Sequence, residues 1–204
     1  MIANVERVLM SPIEYLAWEE EQPYKHEYLN GEAYAMAGGT IGHNQIAVNL
    51  VSMLRTHLRG KGCRVFVNDV KVQLGTKGPY FYPDLVVTCD DENTNSQKLI
   101  SHPRLIIEVL SPGTKSYDRG EKFRQYRRMP SLQEYILIDR GLVDIECYRL
   151  NERNKWELTS YTSEDIEDLM LVDFPSIPQS GGYANEFECS IASIYEDVEF
   201  SSPS

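Results

Sequence analysis

The chain has 204 residues, 42% of them apolar, and a formal net charge of −11. This is the size and composition of one soluble globular domain with a real core, and no apolar run approaches the eighteen or so residues of a membrane span. An acidic chain is also a poor tight, nonspecific binder of nucleic acid, but the excess is local. Residues 141–204 hold fourteen acids and three bases, whereas residues 1–140 hold seventeen of each. The N-terminus lacks a basic-then-apolar export layout. Cys63, Cys89, Cys147 and Cys189 are widely spaced without a C-x-x-C pair. They read as reduced thiols of a cytoplasmic protein rather than as a disulfide frame or zinc site.

In chain order, Ser11-Pro12-Ile13-Glu14 predicts a helix start, with Ser as N-cap, Pro at the first turn and Glu closing a capping box; the helix runs to about Glu20. Asn30-Gly31 predicts a two-residue hairpin turn, whose register puts Glu27, Leu29, Glu32 and Tyr34 on one face. Ile41 to Gly60 reads as the main N-terminal helix, with Ala47, Leu50, Val51, Leu54 and Leu58 as its apolar stripe. His43 lies on that face at the helix start, where it can touch substrate or hold Glu27. Two strands follow, Arg64–Val67 and Val70–Leu74, and the Gly75–Pro79 turn delivers the chain to Asp84.

The segment from Pro79 to Asp139 carries the chemistry. Leu85–Thr88 and Leu105–Leu110 read as buried strands, and each brings a carboxylate, Asp84 and Glu108, into a place where an unpaired charge costs several kcal/mol. A hard divalent ion such as Mg²⁺ relieves two such acids together and supplies Lewis-acid and hydroxide chemistry for attack on a phosphodiester. The carbonyl of Val109 is a candidate third ligand. Residues 90–103 read as a polar loop, and Ser111–Thr114 ends the Glu108 strand. Tyr117 to Met129 predicts a helix with Phe123, Tyr126 and Met129 as its stripe. Lys122 borders that stripe, so its stem can lie along the sheet while its ammonium reaches the carboxylates; the plainer alternative is an exposed Asp118–Lys122 pair. Six bases within 115–128, among them Arg119 and Arg127, form a patch suited to phosphate contact. Glu134–Asp139 is a third apolar strand, followed by an outer hairpin, Val143–Cys147 with Trp156–Tyr161. The acidic remainder reads as irregular, broken by Pro175, Pro178 and Gly181-Gly182, before a short helix over 190–198.

Pro83-Asp84, Glu108-Val109-Leu110-Ser111-Pro112, Tyr117-Asp118-Arg119-Gly120-Glu121-Lys122-Phe123 and Glu134-Tyr135 with Asp139 together resemble the Uma2 family (DUF820). That family is abundant in cyanobacteria and belongs to the PD-(D/E)XK restriction-endonuclease-like superfamily. The resemblance implies an α/β fold, a restriction-endonuclease-like mixed central sheet of four to six strands between helices 41–60 and 117–129, with extra β-hairpins. It implies one domain, core about 24–140, with the outer hairpin and acidic part at 141–204. It places metal-binding acids at Asp84 and Glu108. The superfamily lysine normally sits two residues after the second acid, where this chain has Leu110, so the resemblance moves that role to Lys122. It also implies a supporting acid from the N-terminal hairpin, Glu27 or behind it Glu32, and a polar support residue at Gln45. The implied activity is Mg²⁺- or Mn²⁺-dependent hydrolysis of DNA by an endonuclease that can pair as a homodimer. The alternative is a silent member acting as a binding or assembly module.

Overall fold

The computed structural model describes residues 9–36, 38–90, 98–174 and 185–200. The chain opens on α1 (Pro12–Glu19), where the Ser11 Oγ accepts the Glu14 N–H and the Glu14 carboxylate accepts the Ser11 N–H. Next come β1 (His26–Leu29) and β2 (Glu32–Ala35), joined through Asn30 and Gly31 at φ of 52° and 91°. Both residues are left-handed, as the short hairpin turn requires. The helix α2 (Ile41–Leu58) is capped by Thr40. The strands β3 (Arg64–Val67), β4 (Lys71–Gln73), β5 (Tyr80–Phe81), β6 (Leu85–Thr88), β7 (Leu99–Ile100) and β8 (Leu105–Leu110) follow.

Six strands form the principal sheet. In space they run β11 (Trp156–Thr162), β10 (Asp144–Leu150), β9 (Glu134–Asp139), β8, β6, β3. The central pair β8–β9 is parallel and its neighbours are antiparallel, so the sheet is mixed, and a crossover must carry the chain from β8 to β9. That crossover is helical: α3 (Lys115–Tyr117), a π turn (Asp118–Lys122) and α4 (Phe123–Tyr126). A second sheet, in the order β2-β1-β5-β4-β7, stands over the same face as the crossover.

Side-chain alternation divides the core between the two faces of the principal sheet. Leu85, Val87, Leu105, Ile107, Ile136 and Ile138 face α2, meeting Ile46, Leu50, Leu54 and Leu58. Val86, Ile106, Leu110, Tyr135 and Leu137 face Tyr126, Met129, Phe81 and Val72 of the crossover and second sheet. Each fully buried aliphatic side chain is worth about 1.5–3 kcal/mol over its exposed state, so the two clusters fix the layers. Glu108 shares the second face with Ile106 and Leu110 (alternation leaves no other choice).

Four expectations need correcting. Cys63 and Cys89 form a disulfide. Although 26 residues apart, they lie one step beyond the Arg64↔Thr88 pair of β3 and β6, so the sheet register brings them together. Cys147 and Cys189 are free and buried. The acidic region is not wholly irregular: β12 (Leu169–Phe174) and β13 (Asn185–Ser190) form an antiparallel ribbon. Met170, Val172, Phe187 and Cys189 alternate from it into the α2-side core. The Pro175 to Gly182 breakers fall outside the described residues. The terminal helix α5 (Ile191–Ile194) is shorter than 190–198, and the 90–103 segment contributes β7, parallel to β4.

Candidate active site

The strand register explains how the two acids meet. Leu85 pairs with Ile107 across β6 and β8, so one step further Asp84 stands opposite Glu108. Asp84 lies just ahead of β6, and its Oδ2 accepts the Val109 N–H at 2.7 Å. Its Oδ1 is 2.9 Å from His43 Nε2 at the start of α2. His43 therefore holds Asp84 rather than Glu27. The Asp84 and His43 side chains keep 15% and 17% of their exposure, so this is the side of the cluster that solvent reaches.

Lys122 lies deeper, only 6% exposed. Its ammonium is 2.9 Å from Glu27 Oε1, 3.0 Å from Glu108 Oε1 and 3.5 Å from Asp118 Oδ1. Glu27 comes from β1 in the second sheet and also accepts the Tyr82 N–H. The Tyr126 hydroxyl donates to Glu108 at 3.4 Å. The π turn is part of this geometry. The Phe123 N–H reaches the Asp118 carbonyl, five residues back, and the widened turn carries both Asp118 and Lys122 inward. Insertions of this kind in helices recur at functional sites.

Burial pushes the Glu108 carboxyl well above the ordinary carboxylate range, against the pull of Lys122. Burial raises Asp118 as well. Burial alone would lower Lys122, but Glu108, Glu27 and Asp118 together hold it well above the ordinary lysine range. The three carboxylates that crowd the ammonium favour its charged form, while burial and the neighbouring acids disfavour ionisation of Glu108.

The structure thus brings Asp84, Glu108, Lys122, Glu27, His43 and the Val109 backbone into one cluster, and leaves others out. Gln45 donates to Asn49 along α2. Glu32 accepts from Tyr34 on the hairpin. Arg119 is held by Glu146 at 2.6 Å and Asp144 at 3.3 Å on β10, and Arg127 lies over the Phe123 ring. The exposed Asp118–Lys122 pair is also corrected: both side chains are buried, and Asp118 is the member of the cluster that sequence reasoning left in solvent. Its signal was the four-residue spacing to Lys122; the inward rotation comes from the π turn.

Among the described residues, no three His, Cys, Asp or Glu side chains are grouped to hold an ion by themselves; the Lys122 ammonium stands between Glu27 and Glu108. The donor chemistry still fits Mg²⁺, which is commonly held by one or two carboxylates and completes its shell with water and substrate phosphate.

The protein has a mixed α/β fold with a buried acid–lysine cluster where β6 and β8 meet the helical crossover and the second sheet. Residues 12–177 match the model of the Uma2 family, described as "Putative restriction endonuclease", and the chain belongs to that family. Two proteins of Synechocystis sp. (strain ATCC 27184 / PCC 6803 / Kazusa) are similar to it. "Uncharacterized protein slr1290" is 43% identical over 80% of this chain and 86% of its own length. "Uncharacterized protein sll1609" is 34% identical over 78% and 91%. The fold is shared with a crystal structure from Anabaena variabilis ATCC 29413 described as "a putative nuclease belonging to DUF820". The TM-score is 0.70 at 19% identity, covering 92% of this chain and 98% of that one.

Proposed function

We propose that the chain is a metal-dependent endonuclease that hydrolyses phosphodiester bonds in DNA. The observation that carries this reading is the Asp84–Glu108 pair on adjacent strands with the Lys122 ammonium 3.0 Å from Glu108. Asp84 and Glu108 would hold Mg²⁺ or Mn²⁺, with the Val109 carbonyl as a backbone ligand; the ion supplies Lewis-acid polarisation and a low-pKa water. His43 orients the Asp84 carboxylate through Nε2, which leaves Oδ2 fixed by the Val109 amide. Glu27 and Asp118 orient Lys122 from behind Glu108. An ammonium so fixed sets a positive charge beside Glu108, where it can stabilise charge that grows in the transition state without reorganising at the moment of reaction.

Plasmid nicking with Mg²⁺ or Mn²⁺ tests this. The wild type is expected to nick supercoiled DNA, and Asp84→Ala, Glu108→Ala and Lys122→Ala each to lose at least about a hundredfold, the scale of one electrostatic contact to the transition state. Nicking that survives all three substitutions would end the proposal. One observation favours a second reading, a silent binding module: Lys122 already satisfies Glu108 and Glu27 without any ion. On that reading Mn²⁺ neither binds the wild type in calorimetry nor supports nicking.

A further inference from the structure

The structure pairs most of the positive charge of the predicted helix with acids. Of the six bases in 115–128, four are paired: Lys115 with Asp139, Arg119 with Asp144 and Glu146, Lys122 with the buried cluster and Arg124 with Glu121. Arg127 and Arg128 are exposed, over the Phe123 ring and against Gln125. The paired part of that segment presents little net charge to a polyanion. The end of α2 is the reverse. Residues 33–68 contain no Asp or Glu but carry Arg55, Arg59, Lys61 and Arg64, in a chain of net charge −11. Arg55, Arg59 and Arg64 are exposed. Together with Gly60, Cys63 and Phe66 they line a depression of about 240 Å³. Among the described residues none of the three has a carboxylate within ion-pair distance.

Three arginines without internal acids, lining one hollow, offer the guanidinium donors that phosphate oxygens accept. Two arginines in the last turns of α2 also gain from the helix dipole, but that does not call for Arg64, which arrives from β3. Arg55 and Arg59 stand about 6 Å apart along the helix axis, close to two steps of one duplex strand at about 3.4 Å each. From His43 beside Asp84, the same axis places Arg55 about 18 Å and Arg59 about 24 Å away. That distance is some five to seven base-pair steps at about 3.4 Å.

From these observations we propose that Arg55, Arg59 and Arg64 form a phosphate-backbone anchor that holds duplex DNA at a distance from the carboxylate cluster. The identity of the ligand rests on the endonuclease reading above. An anchor of this type contributes affinity and register and reads no sequence.

The test is fluorescence anisotropy with a duplex of about 20 base pairs, measured against salt concentration. An Asp84→Asn background without divalent metal keeps cleavage from entering the measurement. Arg55→Gln/Arg59→Gln/Arg64→Gln is expected to weaken binding at least tenfold at low salt. The slope of log affinity on log salt should fall by about 2.7, about 0.9 for each phosphate contact. The triple Arg→Lys variant should keep most of the slope, and Arg124→Gln, whose charge is already paired, should leave it unchanged. Circular dichroism melting of the Gln variant confirms that these exposed substitutions leave the fold intact. Wild-type slope and affinity in the Gln variant would overturn the anchor. So would salt-sensitive self-association that vanishes in that variant while DNA binding persists; this would assign the patch to the acidic third of a second copy. Arginine-dependent binding by a wild type that nicks no plasmid would sink the hydrolase reading and leave the anchor standing.

Discussion

Lys122 and Lys71 are buried to nearly the same extent, 6% and 9% exposed, yet they experience opposite surroundings. Lys122 is ringed by Glu27, Glu108 and Asp118 and its pKa is driven up. Lys71 on β4 lies 5.1 Å above the Tyr15 ring and 5.5 Å from that of Tyr82. Among the described residues no carboxylate comes within ion-pair distance of it. Glu19, the acid that pulls on it most, is engaged by the His26 N–H, the His26 ring and the Tyr82 hydroxyl. Burial therefore lowers Lys71, against a weaker pull from Glu19 and Glu20. Equal burial does not give equal proton affinity; the partners decide it, and only one of the two sites is built around its cation.

The strongest way to break this comparison is to remove each ammonium. Lys122→Met leaves Glu27, Glu108 and Asp118 buried without their cation, and breaking a buried pair in this way costs about 3–5 kcal/mol. Urea denaturation should show that loss as a lower midpoint with an unchanged slope. Adding Glu108→Gln to Lys122→Met removes one stranded charge. The double variant should be more stable than the sum of the singles by about 0.5–3 kcal/mol, the range for groups in contact. Strict additivity would mean that Glu108 and Lys122 do not depend on one another.

The parts of this cluster that sequence conveyed are those set by short-range pattern. Asp84 and Glu108 were legible because one stands at the head of an apolar strand and the other interrupts one, and Lys122 because it borders the stripe of a helix. The capping box at Ser11 and the Asn30-Gly31 turn were legible for the same local reason. What escaped depended on pairing between distant segments. The contact of His43 with Asp84 follows from how α2 lies across β6, and the Cys63–Cys89 bond from the β3–β6 register. Arg119 counted as a free base until β10 supplied Glu146 and Asp144 from 27 and 25 residues away. The ribbon β12–β13 alternated correctly in Phe187 and Cys189, but nearby Pro and Gly residues dominated the reading. The π turn had no sequence signature that periodicity detects, since Phe123 and Tyr126 fit an ordinary helix as well.

A smaller effect separates the two lysines by pH. Lys122 has its pKa raised above 10.5 in the folded state, so its stabilisation is complete below the unfolded value and is lost as pH rises through the folded one. Lys71 has its pKa lowered from 10.5. Folding then disfavours its proton, so it costs stability below its folded pKa, and that cost fades as pH climbs toward 10.5. Nζ-resolved NMR of the folded protein, with lysines ¹³C-methylated, should show Lys71 titrating ahead of the surface lysines. Lys122 should remain charged beyond them. A common midpoint for both would remove the electrostatic contrast.

The smallest expected change comes from Lys71→Met. A methionine of similar length can rest on Tyr15 and Tyr82, replacing two cation–π contacts with thioether–aromatic ones of about 0.3–1.5 kcal/mol. It also removes the desolvation cost of a buried ammonium that has no carboxylate partner. These terms nearly offset, so stability near neutral pH should move by no more than about 1 kcal/mol, and a gain is the favoured sign because replacing poorly compensated buried charge by apolar volume is often stabilising. The gain should shrink as pH rises to and past 10.5, above which the wild-type lysine is mostly neutral in both states. A loss as large as that of Lys122→Met would mean that Lys71 has an acidic partner when the protein is in solution, and that both lysines are structural cations of one kind.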